Sequence, residues 1–488
     1  QQDFKKVVES FESLRIPLDL LYMDIDYMQD YKDFTLNEKE FEPDFQEFVD
    51  WMKEHKVHLV PIIDAGVKMQ DGYCVYEEGK KNNYFCKLED HTTDFIGAVW
   101  PGYSMMPDFL NDQARNWFGM KYETLTKYGI DAFWNDMNEP ALFYSRYGID
   151  WLNGKLKEFL ANEKNEVPYF KLGMEVESLK NSMDDYRRFY HNTNQGWVRH
   201  DKVHNLYGCS MTRSASEAFE TLRPGKRTLM FSRSSYIGMH RYGGIWTGDN
   251  KSWWSHLDLI VHQLPAINMA GFLYTGPDLG GFGEDTTRDL LMRFLQIGIF
   301  TPLMRNHSAI GTREQEPYQF ERSEEIARLI RLRYRLIPYL YSEYLKAVEN
   351  DTLLFKALAF EFKEDVIARS IEDQLLLGDQ IMIAPVTRQN EPGRPVYLPE
   401  PMTRILCSED GIEQTALNAG WHYISYPLDS LVFFVRCSQA VPLGAAVLHI
   451  DDVNLETIEW LGDGTEYELY EDDGISANAP ITRTVLTR

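Results

Sequence analysis

The chain has 488 residues, about three domains' worth at roughly 150 residues each, although one barrel takes roughly 250. Acidic residues (75) outnumber basic ones (50), and the formal net charge of −25 disfavours nucleic acid and anionic membrane as partners, because both require positive surface. Hydrophobic residues at 44% and charged residues at 26% exclude a wholly disordered chain, and no apolar run approaches the ~18 residues of a membrane-spanning helix. Residues 2–15 place Phe4, Val7, Val8, Phe11 and Leu14 at helical spacing, and Ile16-Pro17 ends that helix. Residues 18–26 (LDLLYMDID) then read as a buried strand, 41–54 as helix, 57–64 (VHLVPIID) as strand, 108–128 as helix and 130–136 (IDAFWND) as strand. A strand over 228–232, a helix over Trp254–Met269, a strand over 271–276, a helix over 286–298 and a short strand over 299–304 follow.

The repeated strand–helix order predicts a parallel sheet with helices outside it. Strands end in, or just before, Asp26, Asp64, Asp136, Arg233 and Asp278, and in an α/β barrel the C-terminal strand ends converge where chemistry sits. No glycine-rich phosphate loop follows the first strand, so the barrel is preferred to an open doubly wound sheet. The charged stretch 141–194 is too long for an ordinary connection and reads as an insertion over the barrel mouth, helical in part over 169–188. A long helix over 323–350 closes the first domain, 1–345. Beyond it, short β-rich segments (395–398, 421–426, 431–435, 466–470) separated by Gly, Pro, Asn and Asp predict two small β-domains, 346–444 and 445–488, joined near 442–444.

The five cysteines (Cys74, Cys86, Cys209, Cys407, Cys437) are odd in number, widely spaced and free of any C-x-x-C pair. They read as buried small hydrophobes rather than a disulfide framework or zinc site, which fits a reducing compartment. With no signal-like segment after Gln1, a cytoplasmic location is the expectation.

Two segments carry the chemistry. In FWNDMNEP (133–140), Asp136 ends an apolar strand, a carboxylate desolvated on one side and open on the other; this suits a nucleophile, and equally a helix-capping or salt-bridged aspartate. In FSRSSYIGMHRYGGIWTGDN (231–250), Arg233 follows a strand and Asp249 lies in a Gly-Asp loop that is either an ordinary turn or a site. Two carboxylates at separate strand ends can flank one glycosidic bond, one ionised and one protonated. Trp100, Trp134, Trp246, Trp253, Trp254 and Phe282 crowd these loops, either as core or as stacking walls for sugar rings. His307, in MRNHS, is either structural or a partner for a hydroxyl. The twelve histidines show no tight ligand spacing, and neither a G-x-S-x-G elbow nor a P-loop occurs, so neither metal nor cofactor is expected.

Together these segments resemble glycoside hydrolase family 31. FWNDMNEP and SRSSYIGMHRYGGIWTGDN match its signatures, and MDIDYM (23–28), VWPG (99–102), GPDLGGFG (276–283), RNHS (305–308) and YEDDG (470–474) follow in family order along nearly the whole chain. The DMNEP form is similar to the α-glucosidase branch, including its gut-bacterial members, rather than the α-xylosidase branch. The resemblance implies a (β/α)8 TIM barrel with an inserted loop subdomain, followed by two small C-terminal β-domains. The family's N-terminal β-sandwich and first barrel strand are absent from this sequence. It also implies a retaining exo-α-glucosidase with Asp136 as nucleophile and Asp249 as acid/base. Asp24, favoured over Asp26, would bind substrate. Arg233 and His307 would hold hydroxyls, and Trp100, Trp134, Met137, Trp246 and Phe282 would wall the first subsite, with Asp64 and Asp278 in support. Lys251 stands where many members carry an uncharged residue, at the expected pocket rim. The implied partner is a small maltose- or isomaltose-type oligosaccharide, with homo-oligomerisation left open. Transglucosylation, an α-glucan lyase outcome, or an inert sugar-binding relative are the alternatives.

Overall fold

The structure is a computed structural model that describes residues 1–41, 44–161 and 167–488. Residues 42–43 of the helix expected over 41–54, and 162–166 of the expected insertion, lie outside the described residues. The chain divides into two compact units. One comprises Leu20–Glu54 and His58–Gly243, with Gln1; the other comprises Gln2–Asp19, His55–Val57 and Gly244–Arg488.

In the first unit four strands run parallel: β1 (Leu20–Met23), β2 (His58–Ile63), β3 (Ala132–Asn135) and β4 (Leu229–Ser232). Leu20 lies opposite His58, Ile62 opposite Trp134, and Trp134 opposite Phe231. The near-continuous apolar runs of β2, β3 and β4 are buried along almost their whole length, as a parallel sheet covered on both faces requires, whereas in β1 only Met23 is buried. The helix Phe45–Glu54 buries Phe45, Phe48, Val49 and Met52, the i, i+3, i+4, i+7 stripe that faces the sheet. Helix Asp112–Met120 is capped by Asn111, whose side chain accepts from the backbone N–H groups of Gln113 and Ala114 at 2.9 and 3.1 Å. It packs on helix Leu206–Leu222 so closely that a Cβ on Gly119 would stand 2.1 Å from the Ser214 carbonyl oxygen.

Several expected bounds change for identifiable reasons. The strand expected over 18–26 stops at Met23, because the Asp24 side chain accepts from Ile25 N–H at 2.7 Å and turns the chain into a 3-10 helix, Ile25–Tyr27. The helix expected over 108–128 starts at the Asn111 cap and breaks into Asp112–Met120 and Glu123–Thr126. The helix expected over 169–188 is two pieces, Tyr169–Glu177 and Met183–Tyr186. The expected insertion also contributes strands. Tyr144–Ser145 pairs with Ile96–Val99, and Phe189–Thr193 pairs with Lys87–Leu88 and Gly196–Arg199.

In the second unit the helices Trp254–Met269, Arg288–Gly298 and Ser323–Glu349 share a buried core with Leu279 of β6 (Asp278–Leu279); β5 (Gly244–Ile245) precedes these helices and β7 (Arg305–Asn306) pairs with β6. The strands expected over 271–276 and 299–304 are not strands. Carbonyls of Tyr274, Thr275 and Gly276 accept single bonds from Ile245, Leu303 and Thr247, while residues 299–301 turn off the preceding helix. The parallel ladder falls later, with Asp278 opposite Arg305. Further along, a six-stranded antiparallel sheet orders Phe355–Ala357, Leu375–Leu377, Ile381–Ile383, Leu431–Arg436, Met402–Ser408 and Gly411–Leu417. Residues 440–443 are paired chain: Pro442 lies opposite Trp460, and Val441, Leu443, Leu461 and Leu469 share one buried core with Phe433, Val435 and Tyr339.

Candidate active site

In the first unit the end of β3 delivers Asp136 into a dense polar arrangement. Its backbone N–H donates to the Ile63 carbonyl at 3.0 Å, which continues the ladder one residue beyond the strand. The chain then bends sharply, with Met137 in the left-handed region at φ 53°. Such a conformation in a bulky residue costs about 1–3 kcal/mol and persists only where the surroundings over-determine it. Here the bend turns Met137 N–H back to the Asp136 carboxylate at 2.7 Å. Arg233, one residue past β4, places Nη1 2.8 Å from Asp136 Oδ1. Its other nitrogens form a fork on Glu139, at 3.0 and 3.1 Å, and Nη2 also reaches Met137 Sδ at 3.2 Å. Bidentate pairing of this kind fixes the guanidinium plane as well as its charge. Asn138 ties the two loops together, donating to Ser232 Oγ at 2.8 Å and accepting from Ser234 N–H at 3.1 Å.

Beside this arrangement lie two buried acids, Asp33 and Asp64. The Asp64 backbone N–H donates to Asp33 Oδ1 at 2.9 Å. Burial pushes both carboxyls well above the usual carboxylate range, and the charges of Asp33, Asp136 and Asp24 push Asp64 further while Arg233 opposes them. Asp24 therefore stands in the electrostatic field of this group. Asp26 sits exposed in the following turn, where its carbonyl accepts from Asn37. Trp134 is buried between Tyr22 and Phe231, with ring centroids 6.3 and 6.4 Å away. Trp100 is 46% exposed, edge-on to Phe143 at 5.1 Å and near Tyr31 at 6.5 Å.

The second unit assembles the other candidates. Asp249 is exposed and follows Gly248, whose φ of 76° is a left-handed turn that glycine takes without strain. The next residue anchors the loop. Asn250 donates to the Asp278 carbonyl at 2.9 Å and accepts from Asp278 N–H at 3.1 Å, and its own carbonyl accepts from Phe282 N–H at 2.6 Å. Arg305 Nε and Nη2 lie 3.1 and 2.6 Å from Asp278 Oδ1, an ion pair excluded from solvent, and the guanidinium stands 5.2 Å from the Trp246 ring. Phe282 and His307 face each other at 5.0 Å. Burial and the Arg305 charge hold His307 well below the usual histidine range, so at neutral pH it is a neutral donor–acceptor. Lys251 donates its backbone N–H to His256 Nδ1 at 2.9 Å and extends its half-exposed ammonium to Glu284 at 3.5 Å.

Sequence reasoning passed over Glu139, Asp33 and Arg305. Glu139 stood inside a quoted motif, and Arg305 opened another, but their partners lie 94 and 27 residues away and no local pattern reveals such pairs.

A further group of potential ligands, Cys86, Asp108 and His191, is buried with its donor atoms within 4.8 Å of one another. His191 Nδ1 lies 2.7 Å from Asp108 Oδ1, whereas two ligands of a tetrahedral zinc stand about 3.3 Å apart, given bonds of about 2.0 Å. Burial and Asp108 also push the Cys86 thiol well above its usual value, away from the thiolate a metal needs. The geometry is that of a shared proton.

Parallel strands that end in a clamped aspartate are the arrangement of an α/β fold whose chemistry sits at the C-terminal strand ends. The comparisons specify it: residues 1–343 match the model of the glycosyl hydrolases family 31 TIM-barrel domain, and residues 351–441 match the glycosyl hydrolase family 31 C-terminal domain. The chain belongs to glycoside hydrolase family 31. Among its relatives, alpha-glucosidase 2 of Bacillus thermoamyloliquefaciens is 32% identical over 487 residues, covering 97% of this chain and 56% of that protein. Lysosomal alpha-glucosidase of Mus musculus is 34% identical over 397 residues, 80% of this chain and 40% of its own length. A crystal structure of the glucosidase II alpha subunit, in an alpha3-Glc2-bound form, superposes with a TM-score of 0.81 at 25% identity, covering all of this chain and 50% of that one. The chain thus spans about half the length of these relatives.

Proposed function

We propose that this chain carries the catalytic part of a retaining exo-α-glucosidase that removes terminal α-linked glucose from short oligosaccharides. The observation that carries the reading is the fixed carboxylate of Asp136, oriented by Met137 N–H and Arg233 at the end of β3, in a chain of this family. Asp136 attacks the anomeric carbon as the bond to the leaving oxygen breaks, and Asp249 delivers its proton to that oxygen. A β-glucosyl ester on Asp136 results. Water, giving its proton to Asp249, then attacks the same carbon and releases glucose with the original α configuration. Asp24, Arg233 and His307 hold hydroxyls, and Trp100, Trp134, Met137, Trp246 and Phe282 wall the glucosyl unit. The relatives' printed names, alpha-glucosidase in both bacterial and mammalian proteins, support this substrate class.

The test is kinetics on maltose, isomaltose, sucrose and an aryl α-xyloside with the wild type, Asp136→Asn and Asp249→Ala. Asp136→Asn abolishes nearly all turnover while leaving the melting temperature in place. Asp249→Ala slows maltose by about 10²–10⁴-fold, the usual worth of a general acid, and slows an activated aryl glucoside far less. Turnover surviving in Asp136→Asn, or β-glucose as the first product seen by NMR, refutes the proposal.

A further inference from the structure

Behind the loop that carries Asp136, within the first unit, runs a chain of imidazoles. Asp108 Oδ1 lies 2.7 Å from His191 Nδ1, His191 Nε2 lies 3.0 Å from His200 Nδ1, and His200 Nε2 lies 2.8 Å from His204 Nδ1. His191 and His200 are fully buried. One carboxylate sets every proton along this line. Asp108 takes the N–H of His191 Nδ1, so Nε2 of that ring becomes the acceptor for His200 Nδ1–H, and the same step repeats at His204. Asp108 is itself held, its second oxygen accepting from Asn192 N–H at 2.7 Å. Burial keeps His200 and His204 below the usual histidine range, so these two rings are neutral at neutral pH.

The chain ends against the catalytic loop. The Tyr186 ring packs on His204 and His200, at 4.7 and 5.3 Å, and its hydroxyl lies 2.8 Å from the Pro140 carbonyl and 3.1 Å from Asn181 Oδ1. Asn181 Oδ1 also accepts from Leu142 N–H at 2.9 Å, so residues 140–142 are fastened from the insertion side at two points. Between these points and Asp136 sits Glu139, whose charge acts on both Tyr186 and His204. Glu139 is also the residue that forks onto Arg233, which in turn reaches Asp136.

We propose that Tyr186 and the Asp108–His191–His200–His204 chain are positioning residues for Asp136, keeping the wall behind Glu139 neutral so that Glu139 stays committed to Arg233. A cation at position 204 competes with Arg233 for Glu139, and the guanidinium then loosens from Asp136. The groups facing position 204 are His200, Tyr186 and Glu139. Those facing Asp136 are Arg233, Asp64 and Asp24. The proposal rests on the reading of Asp136 as the nucleophile.

The experiment compares Tyr186→Phe, His204→Gln and His204→Lys with the wild type, on maltose across pH 4–8. Tyr186→Phe keeps the ring and removes the hydroxyl. It lowers kcat about fivefold to tenfold, with KM within about twofold, because a small displacement of a reacting group is costly. His204→Lys lowers kcat/KM by at least as much and moves the acidic limb of its pH profile upward, since a carboxylate that loses its arginine protonates more readily. His204→Gln, neutral and able to donate to His200 Nε2 as the imidazole does, stays near the wild type. Wild-type kcat and an unmoved acidic limb in both Tyr186→Phe and His204→Lys overturn the proposal, as does a loss that tracks only the folded fraction. Asp136→Asn, measured alongside, separates the two readings. If it retains turnover, the nucleophile assignment fails; if it is dead while the 186 and 204 variants are normal, only this proposal fails.

Discussion

The buried pair Asp278–Arg305 offers the sharpest test of how the second unit holds its site. Both side chains are at or below 1% exposure, and the guanidinium contacts one carboxylate oxygen through Nε and Nη2 at 3.1 and 2.6 Å. Asp278→Asn preserves the volume and the strand but removes the negative charge that the buried guanidinium contacts through two nitrogens. Breaking such a pair by removing one partner costs about 3–5 kcal/mol. At about 2–4 °C per kcal/mol for a unit of this size, the melting temperature falls by about 6–20 °C. Calorimetry on the single variant gives the number directly. The decisive comparison is Asp278→Leu combined with Arg305→Met, which removes both charges and recovers most of the loss, because desolvation of the pair costs as much as its attraction returns. A shift under about 2 °C in Asp278→Asn, or a double variant no more stable than the single one, refutes the reasoning. Activity reports the same event separately. The backbone N–H and C=O of Asp278 bracket the Asn250 side chain, so a disturbed Asp278 moves Asp249, and kcat on maltose falls even at temperatures where Asp278→Asn is fully folded.

Three further outcomes are expected. The carboxyls of Asp33 and Asp64 are raised by burial, so as pH climbs past about 3.9 the unfolded chain releases protons that the folded protein retains, and stability falls with pH until the folded values are passed. Asp64→Asn therefore gains melting temperature relative to the wild type between pH 4 and 7, and a difference constant across that range contradicts the argument. Lys251→Ala loses a half-exposed pair worth at most about 1 kcal/mol, so it melts like the wild type while its kcat/KM ratio for maltose over isomaltose changes; an unchanged ratio removes Lys251 from the pocket rim. Prolonged treatment with EDTA leaves both melting temperature and turnover unaltered, since the short Asp108–His191 contact holds a proton, and a drop in either would reveal an ion.

Much of the site was legible because it lies where apolar runs stop. Asp136 and Arg233 follow four-residue strands whose burial is visible as AFWN and LMFS, and their side chains do meet at 2.8 Å. What the runs could not show was register. Segments 271–276 and 299–304 are apolar enough for strands, yet the glycine turn at Gly271 (φ 96°) and the helix-terminal turn after Gly298 shift the ladder to Asp278 and Arg305. The polar partnerships were equally hidden. Asp33 and Asp64, Glu139 and Arg233, and His191 with Asp108 are contacts across 31 to 94 residues, set by packing and not by spacing. The charged texture of 141–194 signalled an insertion, but its strands Tyr144–Ser145 and Phe189–Thr193 are too short and too polar to stand out.

The electrostatics of the first unit explain why so many acids gather at these strand ends. Asp33, Asp136 and Asp24 all act on Asp64, with Arg233 as the opposing charge. Left fully ionised, such a group would repel itself severely at the short range and low dielectric of a protein interior. The raised values of Asp33 and Asp64 relieve it, for a buried carboxyl that keeps its proton contributes no charge. The remaining negative potential suits the proposed reaction. Glycosyl transfer passes through an oxocarbenium-like state in which the sugar ring gains positive charge, and fixed negative groups aimed at that charge stabilise it more than they stabilise the neutral substrate. Arg233 then acts as a brake with a purpose: it restrains the Asp136 carboxylate in one orientation while Glu139 absorbs the rest of its charge through the bidentate fork. Replacing Glu139 by Gln would remove the fork that fixes the guanidinium plane, so Arg233 would loosen from Asp136 and the carboxylate would lose its set orientation.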